Sequence, residues 1–549
     1  MRSIPAVGDD ATVKAMPAAP PRVRWLVALL LLTMATIEVA SLRHLTVTYD
    51  EPRHFLYGQN ILHLDSTRFD DSKMPVSALN AIPSAVAARL PAGPLATWLS
   101  LLETGRYVTV AFSLLVGLCV FAWARARAGE GAGLLALTLY VFDPNMLAHG
   151  QLVTTDVYAA GSITFALFAF WRLLTVGGWR WTIATGLGLG LALLAKYTAL
   201  ALVPLLMVIA LVVKGGPLWS HLRAGDMRQA WLLLAPAAAR ALVVGALALG
   251  AVNAGFLFKR TGTPLDGYAL RSRPFQSFQR RHPQLSHIPI PLPYPYVEGL
   301  DWVIQRERTG EGYGNIYLLG RTRKGEGFAG YYFVATLFKL PLGTLAILAV
   351  AAAGYVVRIR RHEVSRLDLV ILIPVAFFTI YFNFFYRAQI GIRYFLVVFP
   401  LLYILAGDLV RSGHARSRRV NLGLAAALVA TIASVASYYP HFLPYFNELI
   451  GKRTNAYRIL ADSNLDWRQH VWYFDQYVAA HPNVIIEPER PTAGTILVGV
   501  NMLTGVAGEP ERFRWLREHF TPVGHIAHAV LIYQVSESAL RALPQRRGE

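Results

Sequence analysis

The stretch YVTVAFSLLVGLCVFAWA, residues 107–124, runs on without a single Asp, Glu, Lys or Arg. Wound as a helix it rises about 27 Å, close to the thickness of a bilayer's hydrocarbon core. Arg125 and Arg127 follow it directly. Runs of the same kind lie outward from it, at about Trp25–Ser41, Gly133–Val141, Tyr158–Leu174, Thr182–Ala195, Ala199–Val213 and Ala230–Phe256. Four more follow at about Tyr331–Val357, Leu369–Phe385, Tyr394–Val410 and Val420–Tyr438, which makes about eleven transmembrane helices. The whole chain has the same character: of 549 residues 54% are apolar and only 15% charged, with a mean hydropathy of +0.40. A soluble chain carries about a quarter charged residues. The fold expected is therefore an α-helical, polytopic membrane protein. The Trp25–Ser41 run lacks a clean small-residue cleavage site and is followed by further spans, so it reads as an uncleaved first helix.

The net charge of +19 would suggest nucleic acid in a soluble protein. Here it fits basic inner loops and attraction to anionic lipid head groups, so membrane lipids are expected as partners and nucleic acid is not. Cys119 is the sole cysteine and lies inside an apolar run, which excludes an intramolecular disulfide and a cysteine-built metal site.

Short basic loops set the orientation. Arg125 and Arg127, Lys214 with Arg223 and Arg228, Arg358 to Arg366, and Arg411, Arg416, Arg418 and Arg419 fall on one side in alternation. That side is cytoplasmic and includes a 1–24 tail rich in Ala and Pro, which reads as disordered. A transmembrane domain then covers 25–438. Its external pieces are 43–105, a short turn at 142–156 and 257–329. The remainder, 439–549, reads as a small extracytoplasmic α/β domain. Strand-like runs at Val484–Ile486, Thr495–Val500 and Ala529–Val535 there alternate with helix-like segments at Trp467–Ala480 and Glu511–His519.

No Walker loop, HExxH or GxSxG occurs, and Gly186, Gly188 and Gly190 sit inside an apolar helix, where glycines permit close packing. The external polar residues say more. Thr48-Tyr49-Asp50-Glu51-Pro52 follows the first span; either acid could cap a surface helix, and either could serve as a general base. Lys73, beside Asp70 and Asp71, is a solvated ion pair or a point charge for a phosphate. Asp143-Pro144 reads as a helix cap, and His149 and Asp156 follow in the same outside turn. Lys339, Arg387 and Arg393 lie at span ends, where long cations snorkel; if they converge on one outer cavity they suit an anion.

The ordered set Tyr49-Asp50-Glu51, Lys73-Met74-Pro75, Asp143-Pro144, Ala148-His149-Gly150, Thr155-Asp156, Gly391-Ile392-Arg393-Tyr394 and Asp462-Ser463-Asn464-Leu465-Asp466-Trp467 resembles the polyprenyl-phosphate-sugar-dependent glycosyltransferases of the GT-C superfamily. The nearest branch is the protein-mannosyltransferase-like one, which includes the bacterial aminoarabinose transferases. The resemblance implies a multi-pass protein of the bacterial inner (plasma) membrane with its active site facing the periplasm or cell exterior. It implies Asp50, with Glu51 beside it, as a catalytic acid and Asp156 as a second one. Lys73 and Arg393 match donor-phosphate positions, with Arg387 as a further candidate; His149 and Asp143 are site candidates without an assigned role. It implies a polyprenyl-phosphate-linked sugar as donor and a protein or glycolipid acceptor, with inversion at the anomeric carbon. No cofactor follows from it, and a divalent metal is left open.

Two departures stand out. Residues 257–329 lack the repeats of the lumenal insert of eukaryotic protein mannosyltransferases, and Arg468-Gln469 stands where Gly-Gln usually follows the DSNLDW run. The alternative class, a secondary transporter or lipid flippase, calls for mid-membrane charges and two related halves. Glu38 and Lys196 are the intramembrane charges, both placed near span ends, and no internal repeat is visible.

Overall fold

The computed structural model describes residues 18–65, 67–68, 70–411 and 417–543. Most of the 1–24 tail, with its expected disorder, and Arg416 of the inner loops lie outside the described residues.

The helices, numbered in chain order, begin with α1 (Pro21–Leu42), α2 (Glu51–Leu62) and α3 (Leu102–Ala128). They continue as α4 (Glu130–Val141), α5 (Pro144–His149), α6 (Asp156–Thr175) and α7 (Trp179–Ala195). Next come α8 (Leu202–Arg223), α9 (Met227–Gly255), α10 (Arg273–Arg281) and α11 (Tyr331–Lys339). The last to be used are α12 (Leu342–Arg360), α13 (Leu369–Phe384), α14 (Phe399–Ala406), α15 (Arg418–Ala436) and α16 (Val471–Ala480). Among the described residues eight helical segments are long and apolar enough to cross a membrane, with shorter apolar helices between them.

Burial follows position in the bundle. Helix α6 is covered on almost every face, and α7 packs along both α6 and α9. The glycines of α7 allow that approach: a Cβ on Gly190 would stand 2.6 Å from the Cβ of Ala251. Helix α9 is the opposite case, with Trp231, Leu232 and Leu242 exposed along it. In water such a face would drive aggregation; in a bilayer it is the lipid-facing side.

Three expected spans are not single membrane-crossing helices. Tyr331–Val357 breaks between α11 and α12 at Leu340-Pro341, where proline supplies no backbone N–H. Tyr394–Val410 is a 3₁₀ segment at Ile392–Val397, then α14, then a second 3₁₀ segment at Gly407–Val410. The Gly133–Val141 span is α4, with 12 residues too short to cross alone. The chain bends after it at Phe142-Asp143-Pro144 and re-enters α5. The expected outside turn at 142–156 is thus a buried bend and helix, with Asp143, Asn145 and His149 all nearly inaccessible.

The loop 257–329 contains a hairpin, β1 (Asn315–Leu318) antiparallel to β2 (Arg321–Lys324). The C-terminal sheet has strands β3 (Ile485–Ile486), β4 (Gly494–Gly499), β5 (Gly524–Ile526) and β6 (Val530–Val535) in the order β3-β4-β6-β5. β3 and β4 are parallel and the other pairs antiparallel. Successive strand residues face opposite ways. Leu497 and Val530 pack with Ile526 against Tyr473, Phe474 and Tyr477 of α16, while Ile496, Val498, Leu531 and Tyr533 join the main core.

Candidate active site

Asp50 stands at the start of α2 but does not cap it: its side chain makes no bond to the helix N-terminus. Its Oδ2 instead accepts from Arg393 Nη1 at 2.9 Å. Arg393 enters from the segment after Gly391, whose φ of 144° and contact with Ser463 leave no room for a side chain. A Cβ there would lie 2.2 Å from Ser463 Oγ. The same arginine reaches Asp156 Oδ2 at 3.8 Å and lies over the ring of Trp467, 4.2 Å from its centroid. Asp156 opens α6 without capping it; its Oδ1 accepts from Lys196 Nζ at 2.6 Å. Lys196, placed by the sequence at a span end, follows the last residue of α7 and lies over Tyr394. Lys73 is buried, with Asp70 Oδ2 at 3.4 Å and Ser72 Oγ at 3.1 Å.

The DSNLDW run ties these segments together. Ser463 Oγ donates to Ile390 O, and Asn464 Oδ1 accepts from Ile392 N at 3.0 Å, so the loop grips both sides of Gly391. Trp467 O accepts from Tyr49 N at 3.2 Å, next to Asp50. Asp462 N donates to Asn501 Oδ1 at 2.7 Å, which joins the loop to the chain just beyond β4. Arg468 lies at φ 70°, a left-handed conformation that glycine adopts at less cost, so the departure from Gly-Gln keeps a backbone suited to glycine. Gln469 holds the turn from within, accepting from Trp467 N at 2.6 Å.

A cavity of about 1420 Å³ opens among these groups. Asp50, Lys73, Asp156, Lys196, Arg393 and Asp462 all line it. One wing is apolar and aromatic, with Leu200, Ala201, Phe377 and Tyr381 from the membrane helices. The other lies against the C-terminal sheet, at Ile486, Glu487, Leu497 and Gly499. The volume exceeds the roughly 300–1,000 Å³ of a single small-ligand pocket. Burial would raise the Asp50 carboxyl, but Arg393 and Lys73 outweigh it and hold the group below the usual carboxylate range. Burial pushes Asp462 up to about 6 and, with help from Lys73, His54 down to about 3, which leaves that histidine neutral.

Other candidates lie elsewhere. Glu51 is fully buried in a double hydrogen bond from Arg106, Nε to Oε1 at 2.8 Å and Nη2 to Oε2 at 2.7 Å. It also accepts from Thr48 N and Val153 N, and it does not line the cavity. Asp143 caps α5 through Asn145 N and accepts from Tyr403 Oη at 2.7 Å. His149 is buried beside Trp467, ring centroids 5.9 Å apart, also outside the cavity lining. The three cations at span ends do not converge. Arg387 donates to Arg308 O, and Lys339 to the carbonyls of Leu443 and Asn464, so Arg393 alone of the three faces the cavity. Sequence reasoning missed Arg106 and Asp462; Asp462 sat in a quoted motif with no role attached. Among the described residues no group of three or more His, Cys, Asp or Glu side chains could hold a metal.

Residues 100–244 match the family model of the dolichyl-phosphate-mannose-protein mannosyltransferases. Over that stretch the match bears out the resemblance to the protein-mannosyltransferase-like branch. No curated protein matches the chain by sequence. Among solved structures, ArnT from Cupriavidus metallidurans bound to undecaprenyl phosphate superposes with a TM-score of 0.44 at 13% identity, covering 95% of this chain and 99% of that one. The archaeal oligosaccharyltransferase AglB from Archaeoglobus fulgidus, in complex with an inhibitory peptide and a dolichol-phosphate, gives 0.45 at 14% identity, covering 83% of this chain and 59% of that one.

Proposed function

We propose that this chain is a membrane glycosyltransferase that moves a sugar from a polyprenyl-phosphate donor to an acceptor on the extracytoplasmic face. The observation that carries the reading is one cavity, lined by several cations, Lys73, Lys196 and Arg393 among them, and several carboxylates, with an apolar wing on the membrane side and a second wing against the C-terminal sheet. The lipid tail lies along the apolar wing. Lys73 and Arg393 hold the donor phosphate, with Lys196 behind them. The acceptor enters from the side of the C-terminal region 439–549.

In the reaction the acceptor hydroxyl attacks the anomeric carbon while Asp50 takes its proton. The bond from that carbon to the phosphate oxygen breaks, and the polyprenyl phosphate leaves with the electron pair. Displacement from the opposite face inverts the carbon. Positioned base catalysis is worth about 10²–10⁴-fold, and cations in a water-poor cavity stabilise the developing phosphate charge more strongly than they would in water. Glu51 takes no proton in this scheme: paired with Arg106, it fixes the Asp50 segment in place. The acceptor is a protein or glycolipid of the cell envelope, and the membrane is the bacterial inner membrane with the site facing the periplasm or exterior. The test is to incubate purified protein in detergent with polyprenyl-phosphate sugars and envelope acceptor fractions and to follow sugar transfer. Transfer supports the reading; no donor consumption with any fraction removes it.

A further inference from the structure

Residues 257–290 carry six Lys or Arg against one Asp, on the side opposite the arginine-rich inner loops. The preference for positive charge on the cytoplasmic side does not account for them. Their place in the fold narrows the explanation. The segment leaves the end of α9, a membrane span, and returns to it: Tyr294 N donates to Lys259 O, and Asn253 Nδ2, in the last turn of α9, donates to Pro291 O at 3.0 Å. Gly262 and Thr263 pair with Ile290 across the neck of the loop. Helix α10 is carried within this closed loop, beside the membrane boundary.

The loop is folded from its own polar side. Gln276 and Gln279 donate to backbone carbonyls at Leu270, Leu265 and Tyr268, and the Asp301 carboxylate accepts from the backbone of Arg271 and Ser272. Arg271 itself pairs with Asp71. Arg273, Arg280 and Arg281 stay exposed, and among the described residues no carboxylate pairs with them. The large apolar side chains of Phe258, Phe278 and Ile288 are exposed in the same segment, at 62%, 48% and 52%. Unpaired arginines interleaved with exposed apolar side chains, next to a span end, match the chemistry of an anionic lipid surface: cations for the phosphates, apolar groups for the acyl boundary.

We infer that the 257–290 loop, with helix α10, docks on the anionic head groups of the outer leaflet around the protein. Each arginine near such a surface is worth about fivefold in partitioning, so the three together shift the docked equilibrium by about 10²-fold. The full chain, with Cys119→Ala and Gln284→Cys, is labelled with a fluorophore at position 284 and placed in nanodiscs of phosphatidylcholine, with or without phosphatidylglycerol. Quenching by a spin-labelled lipid is read. Strong quenching in the anionic discs, weakened by salt and lost in Arg273→Gln/Arg280→Gln/Arg281→Gln, is the expected result. Equal quenching in neutral discs, no quenching in either, or undiminished quenching in the triple variant overturns the inference. All three arginines are exposed, so their loss leaves the fold intact, and donor turnover in the same preparation checks this.

Discussion

The carboxylate of Asp50 and the guanidinium of Arg393, 343 positions apart in the chain, meet at 2.9 Å in the wall of the cavity. The pair joins the segment between α1 and α2 to the segment before α14 and puts the proposed base against a proposed phosphate ligand. Asp50→Asn separates these roles, because asparagine still accepts the arginine's hydrogen bond but takes no proton at neutral pH. Normal expression is expected, with transfer reduced by at least about 10²-fold. Initial rates with a saturating lipid-phosphate donor measure it. Near wild-type turnover would leave Asp50 as a structural partner of Arg393 and make Asp156 the acid to test.

Lys73→Ala should raise KM for the donor more than it lowers kcat. Loss of a charged hydrogen bond costs about 1.5–3 kcal/mol, or roughly 10- to 150-fold in donor use. Lys73→Arg should recover only part of it, since a planar fork replaces a compact point charge. Competition by polyprenyl phosphate alone gives the affinity directly, and unchanged competition in the alanine variant would reduce Lys73 to the partner of Asp70.

How much of this was legible depends on where each residue sits. Asp50, Lys73, Asp156 and Arg393 stood out because each is a charge in a short polar stretch against an apolar run, and the order of the motifs marked them. Lys196 looked like a cation at a span end, for nothing local announces that its partner is Asp156, 40 positions earlier. Arg106 lies just before the apolar run at 107–124 and pairs with Glu51 across 55 positions, so adjacency to Asp50 suggested catalysis where the fold uses the charge for anchoring. The bend at Asp143-Pro144 read as a surface turn because a proline signals a break but not its burial. Hydropathy alone did not separate α11 from α12, since the sequence stays apolar across Leu340-Pro341.

Glu51→Gln tests that anchoring. The substitution leaves the Arg106 guanidinium buried without its counter-charge, a type of change that costs about 3–5 kcal/mol. Folded yield and thermal stability in detergent should fall sharply, whereas Asp50→Asn leaves both unchanged. The reverse pattern, a stable but inactive Glu51→Gln, would bring Glu51 back as a catalytic group.

Gly391→Ala should act through geometry alone. The added methyl meets Ser463 Oγ at 2.2 Å, so either the DSNLDW loop or the Arg393 segment must shift. Misplacement of a positioning residue by about 1 Å costs on the order of 10²-fold in rate. A companion change, Ser463→Gly, removes the obstructing hydroxyl. Partial recovery of turnover in the double variant is expected, and additive losses would show that the two positions do not act on each other.

Asp462 yields a pH-dependent prediction with a definite sign. Burial raises its carboxyl to about 6, above the 3.8 of an unperturbed aspartate. The folded protein therefore binds this proton more tightly than the unfolded chain does, and stability falls as pH rises through the interval from about 4 to about 6. Above that interval the ionised group is held at a cost; below it the group is neutral in both states and the cost vanishes. Asp462→Asn removes the charge while keeping an oxygen that can accept from Ser463 N, as Asp462 Oδ1 does at 2.6 Å. The variant should melt at a higher temperature than the parent at pH 8, by an amount equivalent to about 1–3 kcal/mol, and with the same midpoint near pH 4. Thermal unfolding in detergent, followed across pH with both proteins in parallel, reads the difference. If the parent is the more stable of the two at pH 8, favourable contacts with Arg393 outweigh burial and hold the Asp462 carboxyl below the usual carboxylate range instead of above it.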